Sequence, residues 1–132
     1  MIDGGILVID DDEDLNEAIS DFLRDVGYTV YSITNPLKVM PAIKKNSYKI
    51  VLLDLKMPRI SGVELISKIK EKRPETKIFI MSGQPYIENF LIQHNLLSFV
   101  DDILNKPFGG EELLNKINNS QGSDIDNSKN CQ

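Results

Sequence analysis

Six side chains could carry chemistry in this sequence: Asp10, Asp11 and Asp12 in one run, then Asp54, Ser82 and Lys106 at long intervals. A short apolar segment precedes each of them: Ile6-Leu7-Val8-Ile9, Ile50-Val51-Leu52-Leu53, Lys77 to Met81, and Phe99 to Leu104. Carboxylates gathered within a few ångströms repel and raise one another's pKa values unless a cation neutralises them. An all-oxygen set at a shallow edge suits a hard divalent ion that keeps several waters, and Mg²⁺ fits best. With the charge neutralised, a carboxylate can attack phosphorus while a lysine and a hydroxyl hold the phosphoryl oxygens. The product of that chemistry is an aspartyl phosphate. A bare carboxylate ending a buried apolar strand, as Asp54 does, is costly unless paired or metal-bound.

The elements that must bring these residues together follow from periodicity. The four apolar runs, with Tyr28 to Ile33, read as five strands; the β-branched, continuous ones are those of a sheet covered on both faces. Leu15, Ala18, Ile19, Phe22, Leu23 and Val26 have the spacing of an amphipathic helix ending at Gly27. Asn35-Pro36 opens a second helix, which Pro41 should kink or weaken. Ser61 and Glu64 form a capping box for a third, followed by Leu65, Ile66 and Ile69, with Pro74 beyond its end. A fourth runs from Pro85 to about His94 and a fifth from Glu111 to Ile117. Strands alternating with helices predict a parallel α/β sheet with right-handed crossovers, its strand ends along one edge, where ligands bind. Residues 1–118 form the expected domain, and 119–132 are a polar, disordered tail or linker.

Composition narrows the function. The 132 residues are 41% hydrophobic and 27% charged, ordinary for a packed domain. A formal charge of −5 argues against nucleic-acid binding, and no apolar run reaches a membrane span of roughly 18 residues. A single cysteine, Cys131, and the lack of a signal-like N-terminus fit a reducing, cytoplasmic setting. No GxGxxG follows the first strand, which argues against a dinucleotide. The charge is uneven: residues 1–25 carry nine acidic side chains and one basic, residues 26–80 four acidic and eleven basic. Part of the acidic run is explained by helix capping at Asp12, Glu13 and Asp14. The basic residues of 38–77 read as solvated helix faces, and His94 has no ligand partners spaced around it.

The chain resembles the response-regulator receiver domains of two-component signalling over residues 5 to about 118. The likeness rests on Ile-Leu-Val-Ile-Asp-Asp-Asp at 6–12, Leu-Leu-Asp-Leu-Lys-Met-Pro at 52–58, Gly62, Met-Ser-Gly at 81–83 and Lys-Pro-Phe at 106–108. It implies a flavodoxin-like (βα)5 fold with strand order 2-1-3-4-5. It also implies that Asp54 is the phosphoacceptor, that Asp11 and Asp54 bind Mg²⁺ with the backbone carbonyl of Lys56, and that Asp10 acts through a metal-bound water. Ser82 would swing toward the phosphoryl group, and Lys106, before a cis Lys-Pro bond, would pair with the acceptor.

By the same resemblance the donor is a sensor histidine kinase or a histidine phosphotransfer protein. The domain would be a phosphorelay switch with self-catalysed phosphorylation and slow autodephosphorylation, not a turnover enzyme. Output would pass through the face built from helix 4, strand 5 and helix 5, in a monomer or a weak phosphorylation-dependent dimer. Three features depart from the family on that face: Ile103 stands where many members have an aromatic, Phe99-Val100 replaces a small Gly-Ala pair, and the Ser82–Lys106 interval is longer. Lys56 and Gln84 occupy positions that flank the path of an attacking water. The rivals are a degenerate receiver used only for docking and a Mg²⁺-dependent aspartyl-phosphate phosphatase, for which Asp10-Asp11-Asp12 supplies an Asp-x-Asp pattern without the usual cap or length.

Overall fold

The computed structural model describes residues 4–57 and 60–129. Cys131 and Pro58, the last residue of the motif at 52–58, lie outside the described residues. The apolar runs form five parallel strands, β1 (Ile6–Ile9), β2 (Val30–Ile33), β3 (Ile50–Asp54), β4 (Lys77–Ser82) and β5 (Asp102–Asn105). Their order is β2-β1-β3-β4-β5, as expected. Between and after them lie α1 (Glu13–Val26), α2 (Val39–Lys45), α3 (Gly62–Lys72), α4 (Ile87–Gln93) and α5 (Gly110–Lys129).

Successive strand residues point to opposite faces, and both faces here are buried. Leu7, Ile9, Val51, Leu53, Ile78 and Ile80 pack with residues of α2, α3 and α4 in one core. Ile6, Val8, Ile50, Leu52, Phe79 and Met81 pack with α1 and α5 in the other. This two-sided burial is why the strands read as unbroken apolar runs. Charge is uneven between the two helix layers. The exposed acids Glu13, Asp14, Glu17, Asp21 and Asp25 ride on α1, whereas exposed Lys44, Lys45, Lys68 and Lys72 ride on α2 and α3 across the sheet.

Local chemistry sets the helix ends. The Asp12 carboxylate accepts from the Leu15 N–H at 3.2 Å, capping α1, and Gly27 closes it at φ 121°. Ser61 Oγ accepts from the Glu64 N–H at 3.3 Å, while the Glu64 carboxylate pairs with Lys68 at 2.8 Å. The helix expected from Asn35 is divided into a 3₁₀ turn (Pro36–Lys38) and α2. Pro41 has no N–H to give to the carbonyl four residues back, so it sits in the first turn of α2, where none is needed.

Four boundaries differ from the sequence reading. The second strand begins at Val30, because the Tyr28 N–H still bonds the Leu23 carbonyl at the end of α1. Phe99 belongs to a 3₁₀ turn (Leu97–Phe99), and β5 starts only at Asp102. The Phe99 and Val100 N–H groups bond back to the carbonyls of Leu96 and Leu97, which takes them out of any strand ladder. The fourth helix starts at Ile87, because Tyr86 is left-handed at φ 62°. Finally α5 continues to Lys129 instead of ending at Ile117. No proline interrupts residues 118–129, and the Tyr28 hydroxyl (3.2 Å to Asn118 Oδ1) and Lys77 Nζ (3.0 Å to the Ser120 carbonyl) hold the helix beyond that point.

Gly62 is where α3 meets the loop that follows β3. A Cβ there would lie 2.8 Å from the Leu55 carbonyl oxygen and 2.7 Å from its Cδ2. Gly62→Ala is expected to destabilise the domain by about 1–3 kcal/mol through overpacking, read as a lower urea midpoint at an unchanged slope. An unchanged midpoint would show that the loop yields freely.

Candidate functional site

Strand register brings the site together. Ile9 is level with Leu53, so Asp10 and Asp54 sit at the same end of adjacent strands. Asp54 is level with Met81, and Ser82, one step further, is level with Asn105, just before Lys106. Asp10 (0% exposed), Asp54 (6%) and Ser82 (4%) are buried, while Asp11 is exposed.

The six residues singled out from sequence are not all brought to one point. Oxygens of Asp10, Asp11 and Asp54 lie within 4.8 Å of one another. Lys106 Nζ lies 3.0 Å from Asp10 Oδ2 and 3.5 Å from Asp54 Oδ2, bridging the two buried acids. Asp12 turns away to cap α1. Ser82 ends the strand beside Asp54; its Oγ accepts from the Gln84 N–H at 3.0 Å, and its carbonyl accepts from the Lys106 N–H at 2.7 Å. Lys56 gives its backbone N–H to Asp54 Oδ1 at 3.1 Å, and its side chain is exposed. The Lys106–Pro107 bond is cis. His94 lies at the end of α4, with its ring 4.4 Å from that of Phe90.

The electrostatics follow from burial. Desolvation raises the Asp54 pKa; the Lys56 N–H opposes it, the Asp10 charge adds to it, and the result is pushed up to about 6. Burial alone would lower the Lys106 pKa, but its hydrogen bond to Asp10 and the Asp54 and Asp10 charges outweigh this and raise it. One ammonium therefore faces two buried carboxylates, with a third carboxylate at the rim. An all-oxygen set short of positive charge is chemically suited to a hard divalent cation.

One residue at this site carried no role in the sequence reading. Asn16 on α1 is buried and its amide donates to the carbonyls of Asp10 and Ile33, each at 3.0 Å. The signal was available: Asn16 and Ser20, four apart, fall on the helix face that buries Ile19 and Leu23. A polar pair on an apolar stripe marks a packed hydrogen-bonding role.

A carboxyl whose folded-state pKa lies above its unfolded value adds stability in acid and loses it as pH rises through the folded value. For Asp54 the window runs from about pH 4 to about 6. In chelator, wild type should therefore lose about 1 kcal/mol relative to Asp54→Asn between around pH 5 and around pH 7.5. Urea melts at the two pH values read the gap; equal gaps would mean that Asp54 is not destabilised when charged.

Comparison with known proteins places the chain. Residues 6–118 match the family model described as the response regulator receiver domain. The Haemophilus influenzae transcriptional regulatory protein CpxR homolog is 32% identical over 112 residues, covering 85% of this chain and 48% of the relative. The chain thus spans about half the length of the curated relatives it matches. A CheY-like receiver domain protein from Methanospirillum hungatei superposes with a TM-score of 0.82 at 26% identity, covering 92% of this chain and 96% of that one. The Thermotoga maritima response regulator TrrA, solved in complex with Mg(2+)-BeF, gives 0.75 at 28% identity, covering 85% and 94%. The chain belongs to the response regulator receiver-domain family of two-component signalling.

Proposed function

We propose that Asp54 accepts a phosphoryl group from a phosphohistidine on a sensor kinase or phosphotransfer protein, in a Mg²⁺-dependent reaction. The observation that carries this reading is the Lys106 ammonium between Asp10 and Asp54, with all three carboxylates within 4.8 Å. Asp10, Asp11, Asp54 and the backbone carbonyl of Lys56 would hold the cation. Bound there, Mg²⁺ would offset the carboxylate charge and withdraw charge from the phosphoryl oxygens.

The chain's own groups do the rest. An Asp54 carboxylate oxygen forms the new P–O bond as the P–N bond of the donor breaks, its electron pair staying on the imidazole nitrogen. The Lys56 N–H orients one Asp54 oxygen, and Lys106 sits on the side of the other. Lys106, kept protonated by its acidic neighbours, compensates the charge that builds on the phosphoryl group. Ser82 Oγ, which accepts from the Gln84 N–H, would donate its own proton to a phosphoryl oxygen and so report the modified state to the loop before α4.

The domain acts as a switch, with residues 1–118 as its receiver unit and a cytoplasmic setting. The complete set of acids, hydroxyl and lysine supports phosphoryl transfer over docking alone. Readout would use the face of α4, β5 and α5, where an open groove of about 500 Å³ is lined by Tyr86, Val100, Ile103 and Lys116 among others. With the half-buried Ile103 at the usual aromatic position, the change reaches that face without an aromatic rotamer exchange.

Incubation with acetyl phosphate and Mg²⁺ should add about 80 Da (one phosphoryl group, by the transfer chemistry of) to wild type, and nothing to Asp54→Asn or in chelator. Lys106→Ala should slow the gain at least about tenfold, by loss of a charge partner of the transferring group. No gain in wild type under any condition would remove the proposal and leave docking as the function. No membrane enters this reading: no helix among the described residues is long and apolar enough to cross one.

A further inference from the structure

Asn16 reaches three backbone carbonyls at the ends of β1 and β2. Its Nδ2 lies 3.0 Å from the Asp10 carbonyl, 3.0 Å from the Ile33 carbonyl and 3.4 Å from the Val8 carbonyl. An amide has two N–H donors, so the two shorter contacts take them and the third is shared. Its Oδ1 accepts from Ser20 Oγ at 3.2 Å, one helical turn on. The opposite amide orientation would set an oxygen against three carbonyl oxygens, so the Ser20 hydroxyl and the carbonyls together fix which way Asn16 points. Both side chains are 1% exposed.

One of these bonds is made to the carbonyl of the peptide that joins Asp10 to Asp11, and another to Ile33, the acceptor of the Asp10 N–H. The Asp10 N–H bonds the Ile33 carbonyl at 3.1 Å, and the Asp10 carbonyl bonds Asn16, so both backbone groups of Asp10 are occupied. Its side chain is held as well, Oδ1 by the Asp12 N–H at 3.0 Å and Oδ2 by Lys106 at 3.0 Å. With the Asp10 carbonyl turned toward α1, the next residue, Asp11, leaves the strand end at the rim of the cluster. We infer that Asn16 is a positioning residue for the acidic pair: it sets the Asp10–Asp11 peptide plane, and Ser20 sets Asn16. The inference rests on the reading of Asp10 and Asp11 as cation-binding acids. A residue that orients ligands from behind changes metal affinity by about 10- to 100-fold when removed.

The test uses the whole chain with Mg²⁺ as the probe. Asn16→Leu keeps the bulk and removes the donors; Ser20→Ala removes only the hydroxyl that orients Asn16; Ile43→Val destabilises the opposite core without touching the site. Calorimetric titration should show Mg²⁺ binding weakened at least about tenfold in Asn16→Leu, in the same direction but less in Ser20→Ala, and unchanged in Ile43→Val. In metal-free protein, hydrogen exchange at the Asp10 amide, whose acceptor, the Ile33 carbonyl, Asn16 also holds, should accelerate in Asn16→Leu beyond what its loss of global stability explains. If Asn16→Leu does not fold, Ser20→Ala carries both measurements. Mg²⁺ affinity within twofold of the Ile43→Val control, or Asp10 exchange that only follows global unfolding, would overturn the inference. Absent phosphorylation with these two results intact would sink the proposed function and leave the positioning role standing. Should wild type bind no Mg²⁺, the cation reading falls and Asp10 exchange alone decides.

Discussion

Two buried carboxylates at the same end of adjacent strands are the constraint around which this domain is organised. Asp10 and Asp54 repel each other across a site with little water to screen them, and one ammonium, that of Lys106, lies between. Such an arrangement is held only by a rigid frame. The parallel sheet supplies it: β1 and β3 fix the spacing of the acids, and β5, two strands away, delivers the lysine. The remaining hydrogen bonds of both carboxylates go to nearby backbone, Asp10 to the Asp12 N–H and Asp54 to the Lys56 N–H. The loops after β1 and β3 are thereby tied to the groups they present.

The cluster thus costs the fold stability. A core of continuous aliphatic strands packed on both faces tolerates an unfavourable cluster at its edge, where the same residues in a smaller or one-sided core would not be held. The pKa of Asp54, lifted to about 6, is the visible sign of that tension. Any process that adds positive charge there, or removes a negative one, relaxes it.

Much of this was legible in the residues. Unbroken apolar runs such as Ile6–Ile9 and Ile50–Leu53 announce two-sided burial, and the polar residues just after them are the ones that gather at one edge. Capping chemistry placed the start of α1 among Asp12, Glu13 and Asp14 and that of α3 at Ser61. What sequence pattern missed has tertiary causes. Asn16 and Ser20 interrupt the apolar stripe of α1, yet their partners, the carbonyls of Asp10 and Ile33, come from elements that only the fold brings together. Phe99 and Val100 have strand propensity, yet the left-handed backbone at Asn95 and the turn that follows leave only four residues, from Asp102, for the edge strand. Asp101 shows the same override: its backbone N–H bonds the Ile78 carbonyl at 2.8 Å while its carboxylate takes the Ile78 N–H at 2.8 Å, as a strand residue's carbonyl would. The path of α5 past Asn118 depends on Tyr28 and Lys77, which are distant in sequence.

The sorting of charge to opposite layers has a consequence beyond the site. Acids outnumber Arg24 along α1, and lysines outnumber Glu64 and Glu71 along α2 and α3, so layers on opposite sides of the sheet differ in charge and give the domain an electric dipole through its flat dimension. At physiological ionic strength its field reaches about 8 Å from the surface, so a charged partner feels a torque before any atoms touch. Orientation during approach, rather than contact energy, is what that asymmetry supplies, and it fades as salt is added.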